Sequence, residues 1–351
     1  MDKRHLFAFA MGAASLAVGI VVVRLLGLGT GMPPELPDDV DPPARVHNLS
    51  GPYTHKNLTV YLVHGENSLD GKIPLTLEEA MKRKVVLVHE TSNVNELEIE
   101  NVSASDEVYV QAGDIVKGGK QDRVLTVDLI VPAGSGRMPI SSFCVEQGRW
   151  TARGGESAGE FSASTEIVPS KELKLAAKYS NSQAAVWNNV AAAQNKLSAA
   201  SNANVASPAS RSSLQLSLEN DVVRASADDY IEELRSIVKE HRDVIGFVFA
   251  INGEINSGDT YASNDLFEKL WPRLLKAAAI EAVSESNGSG RRDHLSIEAV
   301  TNFMDEAERS RIATERRVTD RIRMVTRESR NSVLIESRDS GVWLHRNYLQ
   351  R

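Results

Sequence analysis

Gly118-Gly119-Lys120-Gln121-Asp122-Arg123-Val124-Leu125, with its downstream echo Cys144-Val145-Glu146-Gln147-Gly148-Arg149-Trp150, is the stretch from which the rest of the chain is read. Each is a short polar run that carries glycine, free in φ, and a planar guanidinium, and each interrupts an otherwise apolar, β-like segment. Residues 124–131 read as one strand, and residues 138–145 read as a second that leads into the echo. Sequential strands are commonly neighbours, so both polar runs are expected at one edge of a sheet. Lys120, Gln121, Arg123, Glu146, Gln147 and Arg149 would then stand within reach of one another.

Upstream, strands at 58–64, 85–88, 97–99 and 108–110, with a short helix at 75–82, follow one another at the spacing of a sandwich or barrel. Downstream the character changes. Residues 151–170, rich in glycine, serine and charge, read as a long loop, and 198–213 as a flexible surface segment. A helix is expected at 184–197, with Val186, Val190, Ala193 and Leu197 on one stripe. Ser226-Ala227-Asp228-Asp229 has the spacing of a capping box and should open a helix through Ile231, Leu234 and Val238. Residues 244–251 form an apolar strand closed by Asn252-Gly253. The helix at 264–283 turns Phe267, Leu270, Trp271, Leu274 and Leu275 inward, and Pro272 should kink or restart it. A last helix is expected at 296–307.

The late strands at 322–326, 333–335 and 342–344 lack near partners and are expected to join a sheet shared across the halves. The class is therefore α+β: a β-rich amino-terminal half, sandwich- or barrel-like, packed with a helical and mixed carboxy-terminal half. In residue terms this divides the chain into an amino-terminal segment 1–27, a proline-rich acidic linker 28–55, and a domain at 56–345. Within that domain 56–150 is the β-rich half, 151–225 loop plus helix, and 226–345 the mixed half.

Composition bounds the function. Of 351 residues, 42% are hydrophobic and 25% charged, the balance of a folded protein. The 47 acidic residues outnumber 40 basic ones, for a net charge of −7, which argues against nucleic acid as a partner. The single cysteine, Cys144, excludes an internal disulfide and a multi-cysteine metal cluster. Residues 6–23 carry no charge and lie between Lys3-Arg4 and Arg24. At about 1.5 Å per residue they reach about 27 Å, near the thickness of a bilayer core. They read as an uncleaved signal anchor, one transmembrane helix with its amino terminus in the cytoplasm and the body outside. The alternative is a cleaved signal and a secreted or periplasmic body.

The glycine turn with Lys120 and Arg123 has the parts of a phosphate or carboxylate cradle, although it lacks the spacing and the Lys-Ser/Thr ending of a Walker loop. The leading expectation is an anionic ligand, phosphate- or ADP-ribose-like, held by Lys120, Gln121, Arg123, Glu146, Gln147 and Arg149. The alternatives are a hydrolase that uses Glu146 or Cys144 while Lys120 and Arg123 stabilise negative charge, and a non-catalytic structural partner protein. The bland reading of the same residues is a polar hairpin whose Arg123 meets a structural carboxylate, and a Cys144 buried at the end of a strand. Glu90, Asn93, Asn95 and Glu96, like Gly253, Glu254, Asp259 and Asn264, read as Asx-rich turns, so neither a metal nor a cofactor is expected. A cupin-like echo in 107–133 lacks the histidine ligands of such metal sites. The arginines at 309–323 alternate with acids and read as a solvated face.

Three runs together resemble a known family: Glu90-Thr91-Ser92-Asn93-Val94-Asn95-Glu96-Leu97, Gly118 to Leu125, and Cys144 to Trp150. They are similar to the domain associated with ADP-ribosylglycohydrolase and rhodanese-phosphatase-superfamily proteins. Ala250-Ile251-Asn252-Gly253 and the helix from Asn264 to Leu275 resemble its second half, for a span of roughly residues 56–345. Asp122 stands where that family often has asparagine. The resemblance implies no established activity and no catalytic residues; its name implies only an association with ADP-ribose and phosphate chemistry.

Overall fold

A computed structural model describes residues 47–69, 71–286 and 294–351. The segment 6–23 lies outside the described residues, and no described helix is long and apolar enough to cross a membrane. The chain opens on the hairpin β1 (Asn48–His55) and β2 (Leu58–His64), then runs through β3 (Leu75–Thr76) and α1 (Leu77–Lys82). Eight strands follow: β4 (Val86–Asn93), β5 (Glu96–Asn101), β6 (Val108–Val110), β7 (Asp114–Gly118), β8 (Arg123–Leu125), β9 (Leu129–Val131), β10 (Met138–Cys144) and β11 (Phe161–Ile167). Next comes α2 (Lys171–Lys174), continued by a π-helical turn (Leu175–Tyr179), and then α3 (Gln183–Ser201), α4 (Leu214–Leu218) and α5 (Asp221–Leu234). The hairpin β12 (Val244–Ile251) and β13 (Glu254–Tyr261) precedes α6 (Asn264–Ser284) and α7 (Ile297–Arg309). The chain closes on β14 (Arg311–Arg317), β15 (Ile322–Glu328), β16 (Ser332–Asp339) and β17 (Val342–Gln350).

The α+β class and the β-rich amino-terminal half hold, and the late strands join a sheet shared across the halves, as expected. An eight-stranded antiparallel sheet has the order β1-β2-β12-β13-β17-β16-β15-β14, so the first hairpin of the chain docks on β12 while the late strands extend the other edge. A second sheet, β11-β7-β8-β10-β5-β4, and a small one, β3-β6-β9, complete the β structure. Alternation along β2 and β12 divides the large sheet's core. Val60, Leu62, Phe247 and Phe249 face the main cluster with α5 and α6, while Tyr61, Val63, Val248 and Ala250 face α7 through Val300, Phe303 and Met304.

Local chemistry explains many of the elements. Thr76 and Glu79 form a reciprocal capping box on α1. Asn252 and Gly253, at φ 54° and 79°, make the tight left-handed turn that the β12–β13 hairpin needs. Edge strand β14 is exposed along nearly its whole length and carries the expected solvated arginines, which guard it against pairing with another chain.

Several expectations are corrected. Residues 124–131 are two strands in different sheets, because the chain turns at Asp128 to send that carboxylate into the core, where Ala112 N donates to it at 2.8 Å. The loop 151–170 contains β11, which pairs with β7. Segment 198–213 is anchored, since Val205 and Ser213 are fully buried. Asn220, not Ser226, caps α5; Ser226 lies inside it and bonds back to Val222 O at 2.8 Å. Pro272 sits within an unbroken 21-residue α6, whose long buried face outweighs the one hydrogen bond a proline removes. The linker 28–55 overlaps β1, and the domain extends past 345 along β17.

Candidate functional site

β8 and β10 are neighbours with Cys144 opposite Arg123, so the two polar runs do meet at one end of one sheet. Gly118 and Gly119, at φ 113° and 54°, bend the chain there. A Cβ on Gly119 would come within 2.4 Å of the Phe161 ring, so only glycine fits. Arg149 grips the Glu146 carboxylate at 2.7 and 2.6 Å and donates to the Gly119 and Gly118 carbonyls. Arg153 grips Asp122 in the same bidentate way, at 2.9 and 3.0 Å, and reaches Glu146 at 3.3 Å. Asp122 also accepts from Gly118 N at 2.9 Å and from Ser213 Oγ at 2.7 Å, while its own N–H donates to Glu146 at 3.0 Å. Gln121 donates to Glu146 O at 2.6 Å.

This knot does not divide its charges as a ligand site would. Arg123 is fully buried; it donates to Val94 O at 2.6 Å and to Cys144 Sγ at 2.7 Å, and it faces the buried Glu90 at 3.3 Å. Arg123 and Arg149 belong to one cluster, yet each has its own carboxylate, so neither charge is left uncompensated; the Arg123 Nε is buried without a hydrogen-bond partner among the described residues. Burial pushes the Glu146 carboxyl up, but the bonds from Arg149 and Ser210 and from the Asp122 N–H outweigh it and hold the group below its usual range. A carboxylate so firmly ionised is a poor general base near neutrality. Burial pushes the Cys144 thiol up to about 11 despite Arg123, which removes its nucleophilic form. The surface of the knot consists of Lys120, whose Nζ donates to Ser92 Oγ at 2.7 Å, the exposed Gln147, and Trp150. Lys120 Nζ lies 5.1 Å and Arg123 Cζ 5.7 Å from the centre of the Trp150 ring, which is 41% exposed. Arg153 and Asp122 were not among the expected site residues, because a guanidinium in a glycine-rich loop gives no local sign of its partner.

A second polar system runs through the interior. His345, on β17, lies between Asp128 at 2.9 Å and Asp259, on β13, at 3.0 Å. Its ring stacks on Tyr261 with centroids 4.6 Å apart. Burial alone would lower its pKa, but Asp128 and then Asp259 raise it to about 9, so the bridge is an imidazolium. Asp128 takes further bonds from Ser337 Oγ at 2.6 Å and Tyr109 OH at 3.3 Å. Lys178, in the π-helical turn, is fully buried and donates to Asn347 at 3.2 Å. Burial lowers its pKa although Asp259 and Asp128 oppose it. Lys174 donates to Ser257 Oγ at 3.1 Å.

The system ends at Glu281 of α6, which is buried beneath a surface cleft. Glu281 Oε1 accepts from Lys171 N and from Asn256 Nδ2, both at 2.8 Å. Its Oε2, like Asn256 Oδ1, is buried without a hydrogen-bond partner among the described residues. Burial raises the Glu281 carboxyl to about 7, Lys174 only partly offsetting it. Above it opens a cleft of about 250 Å³ lined by Lys171, Glu172, Lys196, Asn256 and Glu285. A buried carboxyl poised near neutrality at the floor of a cleft can take or give a proton, and two orphan acceptors call for a donor. Sequence reading missed Glu281 and Asn256. Asp259 was weighed only as a turn residue, although it lies inside β13.

Compared with known families, residues 47–349 match the profile of ARPP-1, described as the ARG and Rhodanese-Phosphatase-superfamily-associated Protein domain. No curated protein matches the chain, and no solved structure does.

Proposed function

The chain belongs to the ARPP-1 family, and from that premise we propose that it is a ligand-binding domain whose site is the cleft floored by Glu281. The observation that carries this reading is the pair of buried, unpartnered acceptors, Glu281 Oε2 and Asn256 Oδ1, beside an opening lined by charged side chains. A buried acceptor without a partner costs about 1–3 kcal/mol, and a ligand hydroxyl or ammonium placed there recovers it. Glu172, Glu281 and Glu285 face Lys171 and Lys196 in the lining, which disfavours a bare phosphate and suits the sugar or amine end of a small molecule. Glu281 is then the general acid–base group if turnover occurs, a role that Glu146 and Cys144 are unsuited to.

Thermal-shift screening of sugars, nucleosides, ADP-ribose and amines tests the reading, because a specific ligand stabilises the folded chain by RT ln(1 + [L]/Kd). Glu281→Gln and Asn256→Leu should each abolish the shift of a true hit. A hit that both variants retain overturns the cleft and points to a site elsewhere, whereas no hit at all favours a structural partner protein. Product formation on a hit separates enzyme from binder.

The second reading is an anionic, phosphate- or ADP-ribose-like ligand on the face of the knot. It is favoured by the exposed Trp150 ring beside Lys120, a platform for stacking with one cation to spare, and Lys120→Ala with Trp150→Ala tests it. We propose also that the uncharged segment 6–23 holds the domain at a membrane. Carbonate extraction with protease protection checks this, and a soluble body with a new amino terminus near Gly29 would indicate cleavage instead.

A further inference from the structure

We infer that His64, His241 and Asp243 form a binding site for a borderline divalent transition metal of the Zn²⁺ class, away from the Glu281 cleft. His64 ends β2, directly opposite Val244, the first residue of β12. Gly65 N donates to Asp243 O at 2.8 Å, so the sheet itself fixes His64 beside Asp243. His241 stands two residues before Asp243 in the segment that follows α5. One ligand atom from each of the three lies within 4.8 Å of the others. Donors around a tetrahedral metal at about 2.1 Å stand about 3.4 Å from one another, so side-chain rotation must draw the three together to supply three of the four positions.

The surroundings are those of a metal site rather than of a simple ion pair. His64 Nδ1 faces Asp243 Oδ1 at 2.9 Å while its Nε2 meets Ser50 Oγ at 2.7 Å. His241 Nε2 is 3.3 Å from Tyr53 OH, and that hydroxyl also reaches Ser50 at 3.4 Å. Each imidazole therefore has a hydroxyl on one ring nitrogen that can orient it, as outer-shell partners orient ligating histidines. The two rings cross edge to face with centroids 5.1 Å apart. His64 also borders a cleft of about 400 Å³ and Asp243 is exposed, which leaves room for water to fill the remaining coordination positions. Two imidazoles and one carboxylate suit Zn²⁺ or Co²⁺ and not the all-oxygen cations. When the metal binds, any proton on the ligating nitrogens passes to solvent, and Asp243 supplies the negative charge.

Titration of the detergent-solubilised full chain with Co²⁺ tests the site. The expected result is a visible d–d absorption that saturates at one ion per chain and is bleached by Zn²⁺. His241→Ala, which lies outside the strands, and Asp243→Asn should each weaken binding by at least about ten-fold, and Ser50→Ala by about 10–100-fold through the outer shell. His55→Ala, at the separate exposed His55–Asp229 pair, should leave the titration unchanged. Co²⁺ absorption that does not saturate, or that survives in His241→Ala with circular dichroism unaltered, overturns the assignment.

Discussion

The knot at Asp122, Arg123, Glu146, Arg149 and Arg153 and the interior system from Asp128 to Glu281 both bury charge, and they do so to opposite effect. In the knot the carboxylates of Glu90, Asp122 and Glu146 each meet a guanidinium, and most of the residues come from the β7–β8 and β10–β11 connections of one sheet. In the interior system the groups come from β13, β17, α2, the π-helical turn and α6, and the matching stops one step short of solvent, at Glu281 Oε2 and Asn256 Oδ1. A network in which each buried charge meets an opposite one fixes loop geometry, and the loose ends of this one are the buried Arg123 Nε and the Lys120–Trp150 surface. An unsaturated one that ends in a cleft keeps acceptors and a titratable carboxyl available.

The largest effect tests saturation. Arg153→Ala strips Asp122 of both its bidentate bonds and should destabilise the fold by about 3–5 kcal/mol, read as a shift of the urea midpoint at constant slope. Glu90→Leu with Arg123→Met, which removes a buried pair together, should cost far less than Arg123→Ala alone. Equal losses would mean that the knot is not held by charge matching.

Next comes the imidazolium bridge. The folded pKa of His345, about 9, lies above its ordinary 6.5. Its contribution is thus whole below about pH 6.5 and is lost as pH rises through 9. The shift corresponds to about 3 kcal/mol, counted once for the His345–Asp128 contact. Stability against pH should fall over that window in the native chain, and His345→Gln should lose that fall, leaving only the smaller decline near pH 7 that Glu281 imposes.

Glu281 behaves with the opposite cost. Its carboxyl is raised from 4.5 to about 7, so ionisation opposes folding, with no effect below about pH 4.5 and the full penalty above 7. Glu281→Gln should therefore be more stable than the native chain at pH 8, by about 3 kcal/mol, and indistinguishable from it at pH 4. A variant that gains stability while losing ligand marks a site retained for function; a loss of stability at pH 8 would make Glu281 structural.

Two smaller effects sharpen the contrast. Asn220→Ala should cost about 1 kcal/mol, as loss of a helix cap does, whereas Ser226→Ala should cost about nothing. Lys120→Ala, at the solvated rim of the knot, should change stability by less than about 0.5 kcal/mol, since partly exposed charges contribute little.

The legible parts of this protein are those with a local cause. The continuous apolar run from Val244 to Ile251, the Asn252-Gly253 turn and the apolar stripe of α3 are readable within a few residues, because strand, turn and helix are short-range geometries. So was the meeting of Gly118–Arg123 with Cys144–Trp150, which follows from the pairing of near neighbours in sequence. Asp128 was not legible. It lies in a run of strand-forming residues, and only a partner 217 positions away, His345, explains why the chain turns there. Glu281 was not legible either, since on the helical pattern it is one more polar residue of α6.

By itself, then, the sequence determined the element types, the α+β class, the charge balance and the grouping of the two polar runs. Which buried charges are satisfied, which carboxyl is left near neutrality, and that the first hairpin joins the last strands were decided by tertiary structure alone. The physical reason is range. Backbone geometry and side-chain periodicity act over three or four residues, whereas desolvation and pairing depend on distances across the folded interior, and those exist only once strands far apart in sequence, such as β2 with Leu58 opposite Ile251 of β12, lie side by side.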